Sequence, residues 1–292
     1  MSFNINGSTS EIKTSYTGFE VKYKTGEKLS YFEKAQKTLL EMPFATAKDK
    51  LEFELPLKKW KEHCDADRKL RRESYGVSKF SDLEKAKSEA LRSVNIPREG
   101  KASVNLILWR GPVNEIEVDA AVNSANETLL GGGGTDFRIH STAGPLLVRE
   151  CATFKDGCQV GDAKLTKGYA LPASFVIHTV GPLLLENEKP DCSLLAKCYI
   201  SSLDICEKNE FKSVVFPCVS CGFYGFPLPI SASVVLPSVI NYIEKHAHSL
   251  ETIVLAFHKD ISPEAYIAEF DKLFPSSTSS SIPAPSDKSG TV

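Results

Sequence analysis

The chain has 292 residues, of which 42% are hydrophobic and 25% are charged, and its formal net charge at pH 7 is −2. This composition is that of a globular protein with a sizeable core, and it excludes a fibrous or wholly disordered chain. Residues 1–100 carry 20 Lys and Arg against 16 Asp and Glu, whereas the remaining residues carry 15 against 21. The sequence therefore lacks the concentrated basic surface that direct binding of duplex DNA requires.

The N-terminus and the cysteines indicate a compartment. The start of the chain, MSFNINGSTS, is polar and unlike a secretory signal, and no apolar run reaches the ~18 residues that span a bilayer. We therefore expect no membrane association, reduced thiols for the eight cysteines, and residence in the nucleus or the cytoplasm.

The N-terminal hundred residues are predicted to be an extension of the folded body. Residues 1–26 are polar, and the tail 276–292 is rich in Ser and Pro, so disorder is predicted for both ends. Within residues 27–100 apolar side chains recur at helical spacing in two stretches, from Leu29 to Leu40 and from Leu83 to Leu91. This pattern predicts a helical extension.

Residues 101–275 alternate between short apolar runs and amphipathic stretches, which predicts an α/β domain with helices on both faces of a central sheet. The predicted strands are VNLILW (104–109), VDAAVN (118–123), SFVIHTV (174–180), SVVFPCV (213–219) and TIVLAF (252–257). The predicted helices are Thr135–Cys151, Ser193–Lys208, Pro229–His246 and Pro263–Phe274.

Four consecutive glycines, Gly131 to Gly134, lie between a strand that ends at Asn123 and a helix that begins near Thr135. Such a run is costly in conformational entropy, so it indicates a loop whose backbone must approach a ligand closely. Free N–H groups at a helix N-terminus can bind an anion. A flexible linker is the alternative, whereas a P-loop and a dinucleotide-binding fingerprint both need other residues or spacings.

A second loop of small and aromatic residues follows the strand SVVFPCV and runs from Ser220 to Gly225. Two such loops at strand ends predict opposite walls of one cleft, which can hold a diphosphate through backbone donors. Cys218 and Cys221 form a CxxC here, but nothing in the sequence completes a zinc site, and a redox pair normally opens a helix. We expect Cys218 in the core and Cys221 as a small loop residue.

Residues from about Ser103 to Phe274 resemble a macrodomain, and within that family the MacroD branch of ADP-ribosyl hydrolases. The resemblance rests on motifs in the family's order: NSAN (123–126), LLGGGGTD with IH following, GDAKLTKGYALP, VIHTVGP and FPCVSCGFYGFP. It implies a three-layer α/β/α macrodomain with a mixed central sheet, preceded by the helical extension.

The resemblance also implies roles for individual residues. The catalytic set would be Asn126 at the distal ribose, Asp136 as the catalytic-site acid and His140. On position alone, Asp136 could equally be a helix-capping carboxylate, and His140 a core histidine. The implied ligand-binding residues are Asn123, Gly132, Gly133, Gly134, Ser220, Cys221, Gly222, Phe223, Tyr224 and Gly225.

Two positions depart from the family pattern. Pro112 stands where the family has an aspartate that reads adenine, so discrimination of the base is expected to be weaker, unless an aromatic such as Phe257 stacks on it. Phe137 follows Asp136 where glycine is usual, and it would either narrow the distal-ribose pocket or point into the core.

The function that the resemblance implies is binding of ADP-ribose and hydrolysis of the ester that joins mono-ADP-ribose to Asp or Glu side chains of modified proteins. One alternative is deacetylation of O-acetyl-ADP-ribose, and another is an ADP-ribose reader without hydrolysis. We expect no cofactor and no metal, mono-ADP-ribosylated proteins as partners, and a monomer.

Overall fold

The computed structural model describes residues 12–16, 19–23, 27–64, 82–246 and 249–275. The helices in these ranges are α1 (Glu27–Glu41), α2 (Ala47–Glu54), α3 (57–64), α4 (Leu83–Ser88), α5 (Thr135–Ala143), α6 (Pro145–Cys151), α7 (Cys192–Lys208), α8 (Leu228–Lys245) and α9 (Glu264–Leu273). The strands are β1 (Ile12–Tyr16), β2 (Phe19–Tyr23), β3 (Ala90–Arg98), β4 (Lys101–Trp109), β5 (Ala120–Ala125), β6 (Ala163–Lys167), β7 (Phe175–Val180), β8 (Ser213–Phe216) and β9 (Thr252–Ala256). No helix in the described ranges is long and apolar enough to cross a bilayer.

Seven strands form one mixed sheet in the order β3-β4-β9-β8-β5-β7-β6. The two edge pairs, β3 with β4 and β6 with β7, are antiparallel, and the inner neighbours are parallel. Every residue of β7, β8 and β9 is buried, as expected for strands covered by helices on both faces. The predicted α/β/α architecture with a mixed central sheet is confirmed.

The antiparallel edge strands were not predicted. The sequence suggested a helix through Leu91, but α4 ends at Ser88, and β3 joins the sheet as its edge, so the sheet begins inside the predicted extension. Only Ile96 of β3 is buried. Pro97 is compatible with an edge strand, because an edge strand has no second neighbour that would need the N–H group that proline lacks. At the other edge, β6 pairs with β7 through Lys164 and Lys167.

Two further predictions need correction. The helix predicted over 135–151 is two helices, because Gly144 has a φ of 82° and Pro145 starts a new helix. Residues 1–26 were expected to be disordered, but β1 and β2 pair in an antiparallel hairpin, in keeping with their β-branched and aromatic residues. The rest of that segment and the tail 276–292 lie outside the described residues.

The helical extension packs on the outer edge of the sheet near β6 and α6. Trp60 of α3 is fully buried, and its Nε1 donates to Ser174 O at 2.6 Å. Gln36 of α1 donates to Phe154 O at 2.8 Å. The Arg149 guanidinium lies 3.7 Å from the centroid of the Phe44 ring. These contacts make the extension part of one packed body with the sheet.

Lys167 is the most buried cation of this interface, with 3% of its surface exposed. Its Nζ donates to Phe53 O at 2.6 Å and to Leu55 O at 3.0 Å, which are carbonyls at the C-terminal end of α2. A cation there satisfies carbonyls that the helix leaves unpaired and complements the helix dipole. Burial lowers the pKa of Lys167, and Glu150 opposes this shift.

We predict that Lys167→Met lowers the free energy of unfolding by about 2–3 kcal/mol, the scale of hydrogen bonds made by a charged group. Limited proteolysis should also become faster within residues 27–64. The exposed Lys155 provides the control, since Lys155→Met removes the same charge without a buried contact. Equal stability of the two variants in denaturant titrations would show that the ammonium does not hold α2 in place.

Candidate functional site

The site lies where two loops leave the carboxyl ends of the neighbouring parallel strands β5 and β8. We call residues 126–134 the glycine loop and residues 217–227 the second loop. The second loop reaches across β5 to β7, because a Cβ on Gly181 would lie only 1.9 Å from Ser220 Oγ. Open α/β sheets bind ligands at this edge, so the two loops lie where the sequence predicts a cleft.

The side chain of Asn126 shapes the glycine loop. Its Nδ2 donates to Gly131 O at 2.9 Å, and its Oδ1 accepts from the backbone N–H and the hydroxyl of Thr128 at 3.1 Å and 2.6 Å. Leu129 is fully buried with a φ of 60°, a conformation unfavourable for a branched side chain. Asn126 therefore fixes the loop from within.

The glycines leave the start of α5 open. Gly134 is the N-cap residue with a φ of 61°, and no side chain caps the helix. A Cβ at Gly133 or Gly134 would meet no atom within 4 Å, so the space above them is free of protein. Among the described residues, the N–H groups of Gly132, Gly133 and Gly134 have no backbone acceptor. This helix terminus can bind an anion.

The second loop is built from tight turns. Ser220 has a φ of 63°, Cys221 N donates to Cys218 O at 3.2 Å, and Gly225 N donates to Gly222 O at 3.0 Å. Gly222 has open space above it, and Phe223 is 94% exposed at the tip. The loop thus presents backbone and an aromatic ring to its surroundings.

Both thiols of the CxxC are protonated groups packed against the core. Burial raises the pKa of Cys218 well above its ordinary value and raises that of Cys221 to about 11. Neither has the thiolate character that redox exchange needs.

Asp136 lies beneath the glycine loop, on the first turn of α5, and only 2% of its surface is exposed. Asn123 Nδ2 donates to Asp136 Oδ1 at 2.6 Å. His140 Nε2, one turn further along α5, is 3.3 Å from the same oxygen. Asp136 Oδ2 has no hydrogen-bond partner among the described residues. The carboxylate is therefore held through one oxygen, and the other remains an available acceptor.

His178 of β7 continues this arrangement below Asn123. The two residues are directly paired across the parallel strands, and Asn123 Nδ2 lies 3.1 Å from His178 Nδ1. His178 Nε2 lies 2.9 Å from Thr166 Oγ1. Complete burial, with a smaller effect of His140, lowers the pKa of His178 well below its ordinary value, so the ring is neutral.

His140, Cys151 and His178 place three possible metal-ligating atoms within 4.8 Å of one another. The hydrogen bonds do not fit a metal there. A metal would need a lone pair on His178 Nε2, which is 3.6 Å from Cys151 Sγ. If Nδ1 accepts from Asn123, the hydrogen of the neutral ring is on Nε2, and Nε2 has no lone pair to offer. Burial, together with Glu150 and Asp136, also raises the pKa of the Cys151 thiol well above its usual value.

Comparison with known proteins identifies the family. Residues 122–235 match the family model of the Macro domain. A Macro domain-containing protein of Methanosarcina mazei is 42% identical over 153 residues, which cover 52% of this chain and 81% of that protein. The chain belongs to the macrodomain family. A Trypanosoma brucei macrodomain, crystallised in complex with ADP-ribose, matches with a TM-score of 0.64 and 34% identity over 82% of this chain and 94% of that one.

Longer relatives are similar to this macrodomain over its body and part of its extension. The ADP-ribose glycohydrolase MACROD2 of Xenopus laevis is 37% identical over 220 residues, which cover 72% of this chain. The chain spans 52% of the length of that relative and 66% of the bovine ADP-ribose glycohydrolase MACROD1, which is 36% identical over 217 residues.

The macrodomain fold brings the predicted catalytic residues Asn126, Asp136 and His140 to the glycine loop, and the predicted residues 220–225 to the facing loop. Asn123 was expected to bind the ligand, but it is fully buried, and its amide serves Asp136 and His178. Ser220 was also expected to bind the ligand, but it is likewise buried, with 3% of its surface exposed.

The structure shows where the two aromatic residues linked to these departures, Phe137 and Phe257, lie. Phe137 is 58% exposed and does not enter the core. Phe257 is fully buried with its ring 5.0 Å from that of Tyr266, so it cannot stack on adenine as the sequence suggested. Sequence reasoning missed His178 and Gly181, although both lie in the motif VIHTVGP.

We predict that Gly181→Ala destabilises the protein by about 1–3 kcal/mol, the usual cost of overpacking, because the new methyl group would overlap Ser220 and Val219. The control is Gly222→Ala, where the methyl group meets no neighbour. Denaturant titrations compare the two. The proposed tight packing of β7 against the second loop is wrong if the two alanines have the same effect.

The neutral, buried His178 also predicts a pH dependence of stability. Below about pH 6.5 the unfolded histidine binds a proton that the folded one does not, so the free energy of unfolding falls as the pH is lowered. The slope contributed by one such group is at most about 1.4 kcal/mol per pH unit. His178→Asn should therefore flatten the stability curve between pH 6.5 and pH 5, and an unchanged slope would contradict the assignment.

Proposed function

We propose that this macrodomain binds ADP-ribose between the glycine loop and the second loop, and that it hydrolyses the ester between mono-ADP-ribose and an acidic side chain of a modified protein. The observation that carries the proposal is the position of Asp136. It is a buried carboxylate with one unpartnered oxygen, one residue into a helix whose N-terminus is open and free of side chains.

The open start of α5 and the turns of the second loop supply the donors for the diphosphate. Backbone N–H groups and the helix dipole recognise phosphate without lysine or arginine, which suits a domain that is acidic beyond residue 100. The solved T. brucei macrodomain carries ADP-ribose, and several relatives are called ADP-ribose glycohydrolases. These likenesses support the same ligand here.

The reaction needs a water molecule that attacks the anomeric carbon of the distal ribose while the acceptor carboxylate leaves with the electrons of the broken C–O bond. Asp136 Oδ2 can orient that water or a ribose hydroxyl, and the water gives up one proton in forming the new hydroxyl of ADP-ribose. Asp136 stands at the N-terminal end of α5, where it suits an orienting role. Deacetylation of O-acetyl-ADP-ribose would use the same ribose and carboxylate.

Recognition of adenine is expected to depend on the loops after β4 and β9. These loops adjoin one another, since Gly111 N donates to Phe257 O at 3.1 Å. Pro112 offers neither a carboxylate nor an N–H, and the Phe257 ring is buried. We therefore propose that the diphosphate and ribose contacts provide most of the affinity, with weaker selection of the base.

The decisive test compares turnover with binding in Asp136→Ala. We predict a loss of at least about 100-fold in hydrolysis of a protein modified on acidic side chains, with the affinity for ADP-ribose within about 3-fold of the wild type. Calorimetry measures binding, and release of ADP-ribose measures turnover. Asn126→Ala should reduce both, because the Asn126 side chain holds the glycine loop.

Asp156→Ala, at an exposed aspartate outside the cleft, is the control and should change neither quantity. Binding without turnover in the wild type would establish a reader in place of a hydrolase. Equal losses of binding and turnover in Asp136→Ala would make Asp136 an anchor for the ligand rather than a group that acts in the transition state.

A further inference from the structure

A chain of hydrogen bonds runs from the cleft into the core through side chains of three strands. Asp136 receives a hydrogen bond from Asn123 of β5, Asn123 contacts His178 of β7, and His178 contacts Thr166 of β6. Asn123, His178 and Thr166 are all 0% exposed. Hydrogen bonds between polar side chains at such depth are important for stability, since an unmade hydrogen bond is costly there.

The orientation of the Asn123 amide follows from its neighbours. The group facing Asp136 Oδ1 at 2.6 Å must be the NH₂, because an amide oxygen in that place would oppose a carboxylate oxygen. The same NH₂ faces His178 Nδ1 at 3.1 Å. Its two hydrogens therefore serve two acceptors, the carboxylate and the ring nitrogen.

The tautomer of His178 follows in turn. Nδ1 accepts from Asn123, so the single hydrogen of the neutral ring resides on Nε2, from which it is donated to Thr166 Oγ1 at 2.9 Å. The opposite tautomer would place two N–H groups against each other at Nδ1. With Nδ1 as the acceptor, each contact of the chain joins a donor to an acceptor, and Asn123 Oδ1 is left without a hydrogen-bond partner among the described residues.

We propose that His178 is a positioning residue for Asp136, which acts through Asn123 and is itself fixed by Thr166. Its Nδ1 takes one amide hydrogen of Asn123, and this directs the other hydrogen to Asp136 Oδ1. The carboxylate is then held in one orientation with Oδ2 left to accept from water or a ribose hydroxyl. This inference rests on the proposed function, in which Asp136 orients a reacting group.

The alternative is that His178 only fills space in the core. The two roles differ at one atom, because positioning requires an acceptor where Nδ1 stands, whereas space-filling requires only volume. His178→Asn supplies a side-chain oxygen near the place of Nδ1, and His178→Leu supplies similar volume without any acceptor. The pair separates the two roles.

We expect His178→Leu to lower kcat by about 10- to 100-fold on the modified protein substrate, since small misplacements of a reacting group have effects of this size. The affinity for free ADP-ribose should stay within about 3-fold, and His178→Asn should recover most of the lost kcat. Equal kcat values for the two variants, or equal losses of kcat and affinity in His178→Leu, would overturn the proposal.

Thr166→Val tests the chain without changing the ring and serves if His178→Leu does not fold. Nitrogen NMR of the wild type should show the hydrogen on Nε2 and a bare Nδ1, and Thr166→Val should populate the other tautomer and reduce kcat. A hydrogen on Nδ1 of the wild type, or a Thr166→Val protein with unchanged tautomer and kcat, would overturn the inference.

The two hypotheses can fail separately. If the wild type shows no turnover, the proposed hydrolysis is wrong, but the hydrogen-bond chain is still tested by the carbon resonance of the Asp136 carboxyl group. That resonance should shift in His178→Leu and return in His178→Asn. An unchanged resonance in both variants would overturn the positioning role independently of activity.

Discussion

A carboxylate that is kept away from water needs a hydrogen-bond donor, and this requirement at Asp136 organises the centre of the protein. The strand pairing meets this requirement, because the register of β5 with β7 places the donor Asn123 beside His178. On α5, His140 follows one turn after Asp136 and places its Nε2 3.3 Å from the same carboxylate oxygen. A shift of either element by one residue would turn these side chains away, so the site constrains the register of the sheet.

The first turn of α5 combines two features with opposite electrostatic effects. It attracts an anion through free N–H groups, yet it also carries the negative charge of Asp136. The structure separates the two by depth, because the glycine backbone is open to the cleft while Asp136 is buried below it. The surface of the helix terminus is thus open to an anion, and the carboxylate lies further in.

Sequence patterns predicted the five inner strands and the glycine loop because buried parallel strands are almost wholly apolar and the four glycines are rare. The edges were missed for physical reasons. β3 buries only Ile96, so its sequence shows no alternation of apolar and polar residues. Lys167 of β6 has the sequence character of a surface residue, and its burial depends on the carbonyls of α2 that accept its hydrogen bonds. The break between α5 and α6 could have been predicted, since Gly144 and Pro145 are residue types that commonly mark the end of one helix and the start of the next.

The candidate site shows the same division. The sequence predicts which residues would approach a ligand, because glycines, an acid and aromatic residues in loops have recognisable uses. It does not show that Asn123 lies below the cleft or that His178 pairs with it, because both belong to strands whose register depends on long-range packing. For the same reason, the exposure of Phe137 and the burial of Phe257 could only be learned from the fold.

The position of β3 has a consequence for where the domain begins. β3 precedes the stretch that resembles a macrodomain, yet it covers the whole length of β4 with backbone hydrogen bonds. A fragment that starts at residue 101 would present β4 as an open edge of nine residues, five of them Val, Leu, Ile or Trp. Uncovered apolar edges of this kind pair with other chains, so the segment before the macrodomain motifs also protects this protein from self-association into aggregates.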